Sequence, residues 1–175
     1  MKVYHLAYVV FSQHCHWGFG MAIVNKLRER EIGRLDLGGF ITCGVDASVA
    51  EVLKKMRETR VSAVLVESAG KLVGIFTERD ALIKVTDNPD TWCRPISALM
   101  TACPQTLTAR QPISKALQLM NAGHYRNVPI VDDAGAIEGN LPQHEIIRFL
   151  TDEFPQDIYN LPPDPARIAH TKEGA

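Results

Sequence analysis

Apolar residues recur at helical spacing in two places along this chain. Val49, Val52, Leu53 and Met56 stand at i, i+3, i+4 and i+7, and Ile113, Ala116, Leu117 and Met120 repeat the pattern 64 residues later. A 3.6-residue period puts each set on one face, so both segments predict amphipathic helices with a buried stripe. Ser48-Val49-Ala50-Glu51 has the form of a capping box opening the first helix. Pro112 suits the opening turn of the second, where a missing N–H costs nothing. Upstream of the helices, Phe40-Ile41-Thr42-Cys43 and Pro104-Gln105-Thr106-Leu107 carry Thr at matching places and predict short strands. Downstream, β-type runs over residues 62–67 and 127–132 lead through Gly70 and Gly135 into second runs over 71–76 and 136–141, which predicts two hairpins. The turn glycines are 65 apart, so the second copy holds one extra residue, expected in the loop near Ala122-Gly123-His124. Helical patterning returns over 78–85 and 143–153.

Each copy is therefore a β-α-β-β-α unit. A lone hairpin backed by helices cannot bury itself, so the expected fold is α+β with the two repeats packed as a pseudo-twofold pair. The expected boundaries are an N-terminal segment over 1–31, the first repeat over 32–86, a turn-rich linker over 87–95, the second repeat over 96–153, and a tail over 154–175. Pro155, Pro162, Pro163 and Pro165 exclude a helix from that tail and favour an extended course. Short helical turns, Ile32–Leu37 and Ile96–Thr101, introduce the two copies.

Composition narrows the partners. The chain has 175 residues, 46% of them apolar, enough for a domain-sized core. A formal net charge of -1 exerts no global pull on nucleic acid or anionic lipid, and even the greasy run from Val3 to Phe11 is interrupted by His5. No nucleic-acid partner and no membrane partner is expected. Cys15, Cys43, Cys93 and Cys103 are scattered without a C-x-x-C pair, which fits reduced thiols in a cytoplasmic protein. His5, His14, Cys15 and His16 are metal-ligand types, but three are consecutive and point apart in either a strand or a helix, so no metal site is expected. The serines lack a nucleophile elbow, and the glycines form no dinucleotide or phosphate-loop fingerprint. No catalytic residue is assigned, and the chain is not expected to be an enzyme.

Gly74-Ile75-Phe76-Thr77-Glu78-Arg79-Asp80, together with Ile96–Thr101 and the run from His124 to Asp132, resembles a tandem pair of CBS (cystathionine-β-synthase) domains. The first segment fits the family's G-x-x-T/S-x-x-D element, and the resemblance covers about residues 32–153. It implies a cytoplasmic regulatory module in signal transduction, paired as a homodimer, which binds an adenine nucleotide between its two repeats. AMP, ADP or ATP is the implied ligand, with S-adenosylmethionine or NAD as the lesser possibilities. It implies ligand-binding roles for Thr77 and Asp80 at ribose and phosphate, for Arg126 and His124 toward phosphate, and for Ile41, Thr42 and Ala63 beside the adenine. The chemistry fits, because an ionised carboxylate accepts both protons of a cis-diol and a hydroxyl can donate to a phosphate oxygen. Thr77 and Asp80 are equally a plain helix N-terminus, and Arg126 and His124 suit a solvated edge as well.

The second copy departs from the element. It reads Gly139-Asn140-Leu141-Pro142-Gln143-His144-Glu145, with proline in place of the hydroxyl and glutamate in place of aspartate, so one ligand per chain is expected. A ligand-free module for dimerisation or for docking an unidentified protein target is the rival reading.

Overall fold

The computed structural model describes residues 17–154. The clustered histidines and Cys15, and the tail beyond residue 154, lie outside the described residues. A helix α1 (Trp17–Glu29) precedes the first copy, which runs β1 (Phe40–Gly44), α2 (Val49–Thr59), β2 (Ala63–Ser68), β3 (Lys71–Thr77) and α3 (Glu78–Lys84). A two-residue strand β4 (Thr101–Ala102) leads to α4 (Ile113–Gly123), β5 (Asn127–Val131), β6 (Ile137–Pro142) and α5 (Gln143–Glu153). The first sheet is ordered β1-β2-β3-β4, with β1 parallel to β2 and the other pairs antiparallel. The second holds β5 and β6.

The helices begin where the pattern predicts. Ser48 accepts from the Glu51 N–H and Glu51 accepts from the Ser48 N–H, each at 3.3 Å, which closes the capping box. Pro112 is instead the N-cap of α4, in extended backbone just ahead of the first helical turn. Pro104–Leu107 does not form a strand: Pro104 has no N–H to give a ladder, and Leu107 alone bridges Ile130. The extra residue also lies elsewhere than expected. Ala63 pairs with Thr77 and Asn127 with Pro142, so the copies keep step through the first strand of each hairpin and diverge only in the turn. The first hairpin turns on Ala69 and Gly70, both at positive φ. The second adds a residue, and there Asp132 Oδ1 accepts from the N–H groups of Ala134 and Ala136 at 2.9 and 2.8 Å, with Gly135 at positive φ.

The copies exchange the segments that introduce them. Ile32 is fully buried among Ile113, Met120, Val128, Ile130 and Leu141, the core of the second copy. Ile96, 64 residues on, is fully buried among Val49, Val52, Val64 and Phe76, the core of the first. The backbone repeats the exchange: the Ile32 N–H donates to the Gln111 carbonyl at 2.9 Å, and the Ile96 N–H donates to the Ala47 carbonyl at 2.7 Å. Val49 N–H to Arg94 and Ile113 N–H to Arg30 form a second matched pair. The pseudo-twofold is thus written in hydrogen bonds, and neither core closes without the other copy's lead-in.

The outer helical faces differ. In the second copy α1 covers α4, burying Ile23 and Leu27 in that core, and Lys26 Nζ lies 2.8 Å from the Glu153 carboxylate of α5. In the first copy α3 buries no residue, and Leu82 and Ile83 are 69% and 75% exposed.

Candidate nucleotide cleft

A cleft of about 640 Å³ opens between the copies, within the usual size range of small-molecule sites. Its walls come from Ser62, Ile75 and residues 77–80 of the first copy, from Asn127, Pro129, Pro142 and neighbours of the second, and from the lead-in residues Thr101, Cys103, Pro104 and Gln105. The lead-in reaches the cleft because β4 adds to the free edge of β3, with Gly74 opposite Ala102 and Ile75 opposite Thr101. Gly74 leaves room for the Met100 side chain, which would have to move aside for a Cβ at this position.

Thr77, Asp80, His124 and Arg126 all line this cleft. Thr77 ends β3 and is the N-cap of α3, which puts Asp80 at the third helical position. Asp80 Oδ2 accepts from the Thr77 N–H at 3.0 Å and from the Thr77 hydroxyl at 2.8 Å. Its Oδ1 lies 2.7 Å from Lys84 Nζ, one helical turn on, and Lys84 also donates to the Leu99 carbonyl of the lead-in at 2.6 Å. Three of the four or so acceptor positions of the carboxylate are therefore filled internally. From the second copy, His124 is the left-handed C-cap of α4. Arg79 Nη1 reaches the His124 carbonyl at 3.5 Å, so the first copy touches the second across the cleft.

Ile41, Thr42 and Ala63 do not line the cleft. Ile41 packs on the first copy's core, Thr42 is exposed on β1, and Ala63 is fully buried in β2. The positions beside Asp80 are taken by the lead-in of the opposite copy. Sequence reasoning missed Thr101, Cys103, Gln105 and Arg79, and the signal for the first three was the 64-residue repeat of the lead-in itself.

At the matching place in the second copy, Glu145 is 6% exposed and closed by its own partners. Arg148 Nη2 lies 2.7 Å from Glu145 Oε2 and 3.9 Å from Asp36 Oδ2, and His144 Nε2 lies 3.3 Å from Glu145 Oε1. Leu37 rests directly on Gly139, where a Cβ would come within 2.6 Å of the leucine's own.

Residues 37–87 and 96–152 each match the CBS domain family, and the chain belongs to that family. It is a tandem CBS pair. The CBS domain-containing protein CBSCBSPB5 of Arabidopsis thaliana is 34% identical over 134 residues, which are 70% of this chain and 24% of that protein. The chain thus spans about a quarter of that relative's length. Among solved structures, the CBS domain protein PAE2072 of Pyrobaculum aerophilum, complexed with AMP, superposes with a TM-score of 0.64 at 21% identity, covering 72% of this chain and 98% of that one. The CBS domain pair of protein MJ0100, in complex with 5'-methylthioadenosine and S-adenosyl-L-methionine, superposes with a TM-score of 0.61 at 22% identity, covering 69% and 99%. Among the described residues no helix is long and apolar enough to cross a membrane.

Proposed function

We propose that the chain is a non-catalytic regulatory sensor that binds one adenine nucleotide in the cleft between its repeats. The observation that carries this reading is the meeting of Thr77 and Asp80 from one copy with Arg126 and His124 from the other on the walls of one cleft. Asp80 would accept the ribose hydroxyls. For Oδ2 to do so, the Thr77 hydroxyl must turn away from it, and the freed O–H can then donate to a phosphate oxygen. Arg126 supplies charge and a planar fork of donors for the phosphate from the opposite repeat, where His124 also lines the cleft. A ligand held from both sides favours one arrangement of the copies, and the population shifts by its differential affinity alone. The closed second acid supports a stoichiometry of one. The exposed Leu82 and Ile83 support pairing of two chains through the first copy's helices, with an as yet unnamed protein target receiving the signal.

Thermal melting of the full chain with AMP, ADP, ATP, NADH and S-adenosylmethionine tests the reading. A ligand at about 100 times its Kd adds roughly 2.7 kcal/mol of stability. A melting temperature unmoved by all five would favour a ligand-free docking module instead.

A further inference from the structure

In each copy a cation ties the acid of the last helix to the lead-in of the other copy. Lys84, in the last turn of α3, lies 2.7 Å from Asp80 Oδ1 and donates to the Leu99 carbonyl at 2.6 Å. Leu99 belongs to the lead-in whose Ile96 closes the first copy's core, and the same segment runs on through β4 into the cleft wall. In the second copy Arg148 lies 2.7 Å from Glu145 Oε2 and 3.9 Å from Asp36 Oδ2 of the other lead-in. The lysine itself is not repeated: Phe149 stands at the place matching Lys84, so the two copies reach the same linkage through different residues. They differ in what the linkage can sense. Glu145 is buried and does not line the cleft, whereas Asp80 does.

Lys84 is not among the residues lining the cleft, so it acts there through Asp80. With Lys84 at Oδ1 and the Thr77 N–H at Oδ2, the carboxylate is held in one orientation before a ligand arrives, which lowers the ordering cost of binding. The Leu99 carbonyl is within reach of Lys84 only while the lead-in is seated on the first copy. We infer that Lys84 is the positioning residue that couples the cleft to the lead-in: a seated lead-in holds Lys84, Lys84 holds Asp80, and nucleotide occupancy and lead-in seating favour one another. The inference rests on the nucleotide reading above and names its regulation. Coupling is reciprocal, so a ligand gripping Asp80 tightens Ile96 and Ser97, neither of which lines the cleft.

Amide exchange of the full chain with and without AMP tests this at Ile96 and Ser97, whose N–H groups donate to the Ala47 and Val45 carbonyls of the first copy. In the wild type AMP should slow these two amides by about fivefold or more beyond its effect on the amides of β5, which report overall stabilisation. In Lys84→Met, at AMP concentrations set by calorimetry to give the same occupancy, that excess should fall to within about twofold, with AMP itself bound roughly 3- to 10-fold more weakly. Lys84→Arg, which keeps a charged donor, should restore both the excess and the affinity. The lysine side chain is 36% exposed, and Lys84→Gln gives the same test if Lys84→Met misfolds. No excess in the wild type, or an excess that survives in the folded Met or Gln variant, overturns Lys84 as the link and leaves the nucleotide site standing. Failure of AMP to bind the wild type overturns the nucleotide reading and this inference with it.

Discussion

The two repeats solve one local problem in two ways. Each places an acid at the third position of its last helix, beside the cleft in the first copy and inside the protein in the second. Asp80 is short, keeps its Thr77 partners at the helix start and faces the cleft with an acceptor position to spare. Glu145 follows a proline that offers neither hydroxyl nor N–H, so its longer side chain is satisfied by Arg148 and His144, and Arg148 in turn lies 3.9 Å from Asp36. The comparison teaches that a conservative exchange of acids, together with the loss of one hydroxyl, turns a surface available to a ligand into a structural ion cluster.

The largest effect should come from the lead-ins that hold the copies together. Ile96→Ala removes a fully buried side chain and should destabilise the chain by about 2–5 kcal/mol. Hydrogen exchange should show the lost protection in α2 and β2 of the first copy; loss confined to the second copy would contradict the exchange of segments. Ile32→Ala should do the converse.

Next in size is the contrast between the acids. Asp80→Ala should weaken nucleotide binding roughly 10- to 150-fold, the worth of charge-assisted bonds of about 1.5–3 kcal/mol. Glu145→Gln should leave affinity within about twofold in the same titration. Equal losses in the two variants would mean that the second acid also serves a ligand.

Arg148→Ala should cost about 1–2 kcal/mol in urea unfolding at neutral pH, because Glu145 is buried but Arg148 is half exposed and its contribution is screened. Lys84→Ala, removing the partner of a less buried acid, should cost less.

The smallest effect concerns the outer cover of the second copy. Lys26, by hydrogen bonding to Glu153, holds that carboxyl below its ordinary value, with Arg30 adding to the effect. A depressed folded-state value stabilises above the unfolded value and is lost as pH falls through the folded one. Acidification below the ordinary carboxylate range should therefore loosen α1 first, seen as faster amide exchange in α1 than in α4. Exchange in α1 that does not respond to pH, after correction for the intrinsic rate, would show that Ile23 and Leu27 hold the helix without the ion pair.

Much was readable from residue order alone. The 64-residue spacing of two apolar stripes fixed two helices on one side of two hairpins, since period and turn chemistry are local properties. The element from Gly74 to Asp80 marked a helix start with a usable acid, because a hydroxyl and a carboxylate three residues apart meet on any first helical turn. Its counterpart with Pro142 announced a difference between the copies. Three things were decided only by the tertiary structure. Which copy each lead-in completes is a matter of contact between residues far apart in sequence, so Thr101 and Gln105 came to stand by Asp80 while Ile41 and Thr42 stayed away. The extra residue settled in the hairpin turn because strand pairing tolerates no slip while a loop does. The partners of the two acids, Thr77 and Lys84 for Asp80 and His144 and Arg148 for Glu145, are neighbours along the chain; which of the acids lines the cleft between the copies was decided only by how the copies pack.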